Sequence, residues 1–88
     1  MEKLKVRKSK TGTLYVFWCP GCEQTHTFDV RSDGGEPTWT FDGNMEHPTF
    51  APSLQYGNCH LMLRGGIIEY LPDCRHKYRG RDIPLEEF

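Results

Sequence analysis

The chemistry-bearing residues of this chain are its four cysteines and four histidines. Cys19-Pro20-Gly21-Cys22 is a C-x-x-C knuckle, in which Pro and Gly let the backbone fold back so that both thiolates aim at one point. The amide N–H groups of such a turn also donate to the sulfurs and stabilise their negative charge. Cys59 and Cys74 supply a second pair. Four thiolates fill a tetrahedral zinc and leave no open position, so Cys19, Cys22, Cys59 and Cys74 are expected to hold a structural Zn2+. Three histidines sit beside these cysteines: His26 follows the knuckle, His60 adjoins Cys59, and His76 is two residues past Cys74. Any of them can replace a thiolate, and a shell of three thiolates and one imidazole, or two of each, stays open as the alternative. His47, before a proline, reads as structural or exposed. A thioredoxin-like use of the knuckle would need a following helix, whereas Glu23 to Val30 alternates like a strand.

The elements that must bring these residues together read as short strands and turns. Gly65-Gly66 is a two-residue turn between apolar strands 59–64 and 67–71, a hairpin signal. With Arg64 facing Ile67, Leu63 pairs with Ile68 and Leu61 with Tyr70, forming one apolar face that carries Cys59. Cys74 keeps that facing if the strand continues, while His60 falls on the opposite face with Met62 and Glu69. Residues 3–7 fit an edge strand with Leu4 and Val6 on one side and a charged outer face. Leu14 to Trp18 is expected as a central strand. The next strand places His26, Phe28 and Val30 on one face, and residues 32–37 form a loop. The two prolines in 47–53 exclude a regular helix there, and that stretch is read as an extended segment lying across the sheet. Asp82 to Phe88 has room for one short helical turn. The expected fold class is mainly β: a small antiparallel β-sheet domain, residues 1–88, with a zinc-ribbon-like knuckle and little or no helix.

Composition narrows the function classes. The chain has 88 residues with nine Gly and six Pro, too short to draw more than a few kcal/mol of net stability from its core. A metal is the expected supplement, contributing roughly 10–16 kcal/mol of folding free energy. No run of about 18 apolar residues marks a membrane span, and the charged N-terminus lacks an apolar signal core. The expected compartment is therefore the cytoplasm, where thiols favour zinc over disulfides. Eleven Lys and Arg nearly balance twelve Asp and Glu. The positive charge is concentrated at the ends: Lys3, Lys5, Arg7, Lys8 and Lys10, then Arg75, Lys77, Arg79 and Arg81.

The order Phe17-Trp18-Cys19-Pro20-Gly21-Cys22, His26, Trp39-Thr40-Phe41-Asp42-Gly43, Pro48 to Leu54, Cys59-His60, Asp73-Cys74-Arg75-His76 and Gly80 resembles a small phage and bacterial family of uncharacterised Cys/His-rich proteins. Its members are often labelled "ammonia monooxygenase" in phage genomes. Some relatives resemble components of bacterial operons that carry ubiquitin-like proteins and their activating enzymes. The resemblance covers roughly residues 15–84 and implies metal binding; it brings no catalytic residue with it. A copper-oxygenase role does not fit a soluble chain of this size without a separate copper site.

The sequence carries no P-loop, nucleophile elbow or paired-carboxylate signal. The leading expectation is a non-enzymatic zinc module that binds another macromolecule, most readily a protein, with Trp39 to Leu54 as the surface to test first. One alternative is nucleic-acid binding through the two basic ends, with Tyr15 and Tyr78 stacking on bases. The other is a metal-dependent hydrolase or nuclease with an open Cys/His site, using His26, His60 or His76 as ligand or base.

Overall fold

The structure, a computed structural model, describes residues 3–31 and 39–87. Among the described residues, eight strands form two antiparallel sheets and no helix occurs. The first sheet has the order β1-β2-β3, with β1 at Lys5–Lys8, β2 at Gly12–Cys19 and β3 at Gln24–Arg31. The second has five strands in chain order: β4 at Thr40–Phe41, β5 at Phe50–Tyr56, β6 at Cys59–Arg64, β7 at Ile67–Tyr70 and β8 at Asp82–Pro84. This is the mainly β, small antiparallel architecture that the short apolar runs and frequent turns dictate.

The two sheets meet through aromatic side chains. Phe28 of β3 stacks on Phe50 of β5 with ring centroids 4.2 Å apart, and Phe17 of β2 stacks on Phe28 at 5.4 Å. Tyr15 lies against Phe41 and Phe50, at 4.5 and 5.5 Å, so its ring is engaged inside the molecule. Leu4, Leu61, Leu63 and Ile68 are fully buried in the same core, with Leu54, Tyr70 and Leu85 beside them. These large apolar groups dominate what the two sheets gain by packing.

The β6–β7 hairpin has the expected register: Arg64 opposite Ile67, Leu63 opposite Ile68 and Leu61 opposite Tyr70. Alternation follows from the pleat, so Cys59, Leu61 and Leu63 are buried while His60, Met62 and Arg64 face the other way. β2 is the central strand of its sheet, and β1 is an edge whose four residues are all exposed. Val6 is 45% exposed; only Leu4, just ahead of the strand, enters the core.

Two expectations differ from the structure, and a third falls outside it. The 47–53 stretch does not cross the sheet: from Phe50 onward it is strand β5, paired with β4 and β6. Its register against β6 shifts between Phe50 and Leu54, and Pro52, which has no N–H to give a ladder, sits inside that irregular stretch. Residues 82–84 form β8 instead of a helical turn, because Ile83 pairs opposite Ile68 and extends the apolar ladder. The 32–37 loop lies outside the described residues.

Candidate active site and metal centre

The strands β5 and β6 form a hairpin with Tyr56 opposite Cys59, Gln55 opposite His60 and Leu54 opposite Leu61. Leu54, Cys59 and Leu61 face the core. Ser53 and His60, one residue removed, therefore share the outer face of the sheet. There His60 Nε2 lies 3.0 Å from Ser53 Oγ. The other ring nitrogen, Nδ1, lies 2.9 Å from both carboxylate oxygens of Asp73, in the turn after β7.

The tautomer follows from the partners. An ionised carboxylate only accepts, so Nδ1 carries the imidazole proton and donates it to Asp73, leaving the Nε2 lone pair to accept from the Ser53 hydroxyl. The Asp73 carboxyl is held below the usual carboxylate range, chiefly by this hydrogen bond from His60. The imidazole side chain is 23% exposed and the carboxylate 63%, so the base is partly shielded while its partner faces water. The Ser53 carbonyl accepts a hydrogen bond from Trp39 Nε1–H at 3.4 Å, which ties the Ser53 backbone to the Trp39 side chain. Hydroxyl, imidazole and carboxylate thus stand in the order of a serine hydrolase charge-transfer chain, which is recognised by geometry and not by sequence position.

Sequence reasoning did not find this constellation. From the sequence, His60 stands out only as a metal ligand or a base at a metal, and Ser53 and Asp73 only as parts of longer motifs. The available signal was the outward facing of His60, read correctly from the hairpin; Ser53 joins it only once β5 is placed beside β6.

The inner face of the same strand carries a second cluster. The ligand atoms of Cys19, Cys22, Cys59 and His76 all lie within 4.8 Å of one another. Cys19 ends β2 and Cys22 closes the turn that follows, where Glu23 N–H donates to the Cys19 carbonyl at 2.8 Å. Cys59 opens β6, and His76 arrives from the turn after β7. The cluster therefore joins the two sheets at one end. Cys19 and Cys59 sulfurs are 3.8 Å apart, and Cys59 Sγ is 3.5 Å from His76 Nε2. Tyr70 Oη reaches Cys19 Sγ at 3.1 Å, and the Tyr70 ring packs edge-on against His76 at 4.4 Å. Tyr78 N–H donates to His76 Nδ1 at 3.1 Å, so the ring's other nitrogen is the one that faces the sulfurs.

Three of the four cysteines expected as ligands are in this group, and its fourth member is His76. Cys74 is fully buried and lies near enough to Cys22 for their charges to repel, but it is not among the four clustered atoms. His26 is buried against Phe17 beside Cys19 and is not among the four clustered residues. His47 is exposed.

The thiols cannot all ionise side by side without a cation. The hydrogen bond from Cys59 holds the Cys19 thiol far down, at about 3. Burial pushes Cys22 up to about 11, and the proton that Cys59 gives to Cys19 pushes Cys59 up further still. A divalent ion supplies the missing positive charge and deprotonates coordinating thiols outright. A donor set of three sulfurs and one imidazole suits a soft, tetrahedral ion.

Fold and outer-face geometry together define a small β protein that aligns a serine hydroxyl, an imidazole and a carboxylate on one sheet face. The chain belongs to the family described as "Bacterial ubiquitination-like system serine protease (BubE)", whose model matches residues 1–71. The matched stretch contains Ser53, His60 and three clustered cysteines, while Asp73 and His76 lie just beyond it. No curated protein and no solved structure matches the chain. No helix among the described residues is long and apolar enough to cross a membrane.

Proposed function

We propose that this chain is a serine protease acting on a protein of a bacterial ubiquitination-like system, with Ser53 as nucleophile, His60 as general base and Asp73 as its orienting carboxylate. The observation that carries the reading is the pair of contacts made by one imidazole, Nε2 to Ser53 at 3.0 Å and Nδ1 to Asp73 at 2.9 Å. The family's description supports it.

The chemistry follows from the geometry. Ser53 Oγ attacks the scissile carbonyl carbon as its proton passes to His60 Nε2, and the resulting imidazolium is stabilised by Asp73. His60 then returns that proton to the leaving nitrogen, the C–N bond breaks, and the acyl group stays on Ser53 as an ester. Water, deprotonated by His60, attacks the ester; Ser53 leaves with the proton, and acid and amine products are released. The general acid–base step contributes roughly 10²–10⁴-fold.

The inner cluster has a different task in this reading. Cys19, Cys22 and Cys59, with His76 as the fourth donor, would hold Zn2+ in a closed shell and fasten the two sheets together. The metal then takes no part in bond cleavage. The macromolecule engaged is the protein substrate, in place of a partner merely bound.

The test is covalent labelling with a fluorophosphonate probe, followed by peptide mass mapping. The adduct should sit on Ser53, Ser53→Ala should abolish it, and His60→Ala should slow it at least 100-fold. An unlabelled Ser53 in folded, metal-loaded protein refutes the assignment.

A further inference from the structure

The two sites are not independent in the chain. Cys59 immediately precedes His60, and Asp73 lies three residues before His76. On β6 the sulfur points inward and the imidazole outward. The segment 71–81 that carries Asp73 contains no strand or helix. Its backbone is tied to the β5–β6 hairpin by Leu71 N–H to the His60 carbonyl at 2.9 Å and Arg75 N–H to the Asn58 carbonyl at 2.8 Å. A further turn bond runs from Cys74 N–H to the Leu71 carbonyl at 3.0 Å. At its far end the segment is held by Tyr70 N–H to the Arg81 carbonyl at 2.9 Å and by Tyr78, whose ring stacks on Tyr70; nearer Asp73 it is held by buried Cys74 and by His76, whose ring is seated against Gly21, Tyr70 and Cys59. The carboxylate itself is 63% exposed and its hydrogen bonds go to His60. Its place is therefore set by what grips the chain on either side of it.

We infer that the Cys19–Cys22–Cys59–His76 centre, when it holds a divalent metal, is the positioning device of the catalytic chain. By clamping the residue before His60 and the turn that follows Asp73 to one ion, it fixes the carboxylate under the imidazole. Hydrolysis at Ser53 then requires a metal that touches neither substrate nor any reacting atom. Cys59 and His76 are positioning residues in this scheme, and the inference rests on the hydrolase reading above. Its size follows from the demands of alignment, since a displacement of about 1 Å in a catalytic group can lower a rate about 100-fold. A protease whose activity follows metal occupancy would be silent until its cluster is loaded.

The experiment uses the full chain and zinc alone. The fluorophosphonate labelling rate of Ser53 is measured on zinc-loaded protein, on chelator-treated protein and after zinc is returned, with circular dichroism recorded on each sample. The hydrogen-bonded Nδ1 proton of His60 is followed in parallel by proton NMR. The expected result is an approximately 100-fold slower reaction without metal, loss of the Nδ1 resonance, and recovery of both on adding zinc. Folded, metal-free protein that labels at the loaded rate overturns the inference. Failure of Ser53 to label even when loaded overturns the hydrolase reading and this inference with it, which separates the two failures. Should chelation unfold the chain, His76→Ala carries the test, because three thiolates remain to bind zinc. Retained metal with slow labelling, restored in His76→Cys, supports the clamp; retained metal with wild-type labelling refutes it.

Discussion

Replacing Gly21 with Ala tests the metal centre without altering any donor atom. A Cβ built at this position falls 2.5 Å from His76 Nδ1 and closer still to Cε1 and Nε2. Non-bonded carbon atoms rest about 3.5–4.0 Å apart, so the imidazole must retreat by about 1 Å. The ring ends a rotatable side chain, and the fold can yield by swinging it away. Overpacking of this kind costs about 1–3 kcal/mol, and the lower end applies where the neighbour is free to turn. A metal bond does not tolerate the same movement, because ligand distances hold to about 0.2 Å. Disturbing an outer partner of a metal ligand typically lowers affinity about 10–100-fold. Displacing the ligand itself should therefore lower zinc affinity at least about 100-fold, with little change in the stability of the metal-free protein. The assay is competition against a chromophoric chelator, with cobalt substituted for zinc to read the sulfur-to-nitrogen ratio from the optical spectrum. Unchanged affinity in Gly21→Ala, with a four-sulfur cobalt spectrum, would refute the reasoning. It would assign the fourth position to Cys74, and Cys74→Ser would then be the variant that loses metal.

Asp73→Asn should slow Ser53 acylation about 10–100-fold, less than the roughly 10⁴-fold known for a buried carboxylate in this role, because 63% of the Asp73 side chain faces solvent; a rate equal to wild type in a fluorophosphonate assay would remove Asp73 from the mechanism. The same carboxyl is held below the ordinary range by His60, so its ionised form is favoured in the folded state. The contribution to stability is present above the unfolded value of about 3.9 and fades as pH falls through the lower folded value; a carbon-13 titration midpoint at or above 3.9 would contradict this. Phe50, fully buried between Phe28 and Phe41, should cost about 3–5 kcal/mol on truncation to Ala, measured by denaturant unfolding. A loss under 1 kcal/mol would mean that the two sheets are not joined there. Zinc affinity should fall steeply on acidification, since the clustered thiols must give up their protons to the solvent as the metal enters; isothermal titration in buffers of different ionisation enthalpy counts them.

Local rules made one part of the architecture legible and left another hidden. The β6–β7 register could be read because Gly65-Gly66 fixes the turn and the flanking residues alternate without interruption. That register alone separates inward Cys59 from outward His60. The knuckle at Cys19 and Cys22 was legible because its turn chemistry is local. β5 was not, because Pro48 and Pro52 argue against a regular ladder. The strand admits Pro52 only by shifting register against β6, and no local pattern announces such a shift. Ser53 emerges from that irregular stretch, so its meeting with His60 depended on the one pairing that sequence could not supply. Asp73 was hidden for a related reason. It lies past the end of β7, in a turn whose path is set by long-range hydrogen bonds to Asn58 and His60. The choice between Cys74 and His76 at the cluster is of the same kind, since extrapolating the strand's alternation beyond Tyr70 has no force once the strand has ended.

The alternation that places Cys59 and His60 on opposite faces also explains how so short a chain can carry both clusters. A strand exposes its side chains in two sets separated by its own backbone, and β6 gives one set to the core and the other to solvent. Metal and nucleophile would otherwise compete for the same imidazoles, and a free thiolate shell beside Ser53 would offer its base the wrong partner. Here the sheet stands between them, and in the proposed scheme the connection is mechanical: Cys59 and His76 of the cluster are close in the chain to His60 and Asp73. A single-residue slip of β6 would exchange the two faces, burying His60 and turning Cys59 outward, and would abolish both sites at once. The Leu61–Tyr70 and Leu63–Ile68 pairs, which set that register from the apolar side, thus serve the placement of both clusters as well as the core.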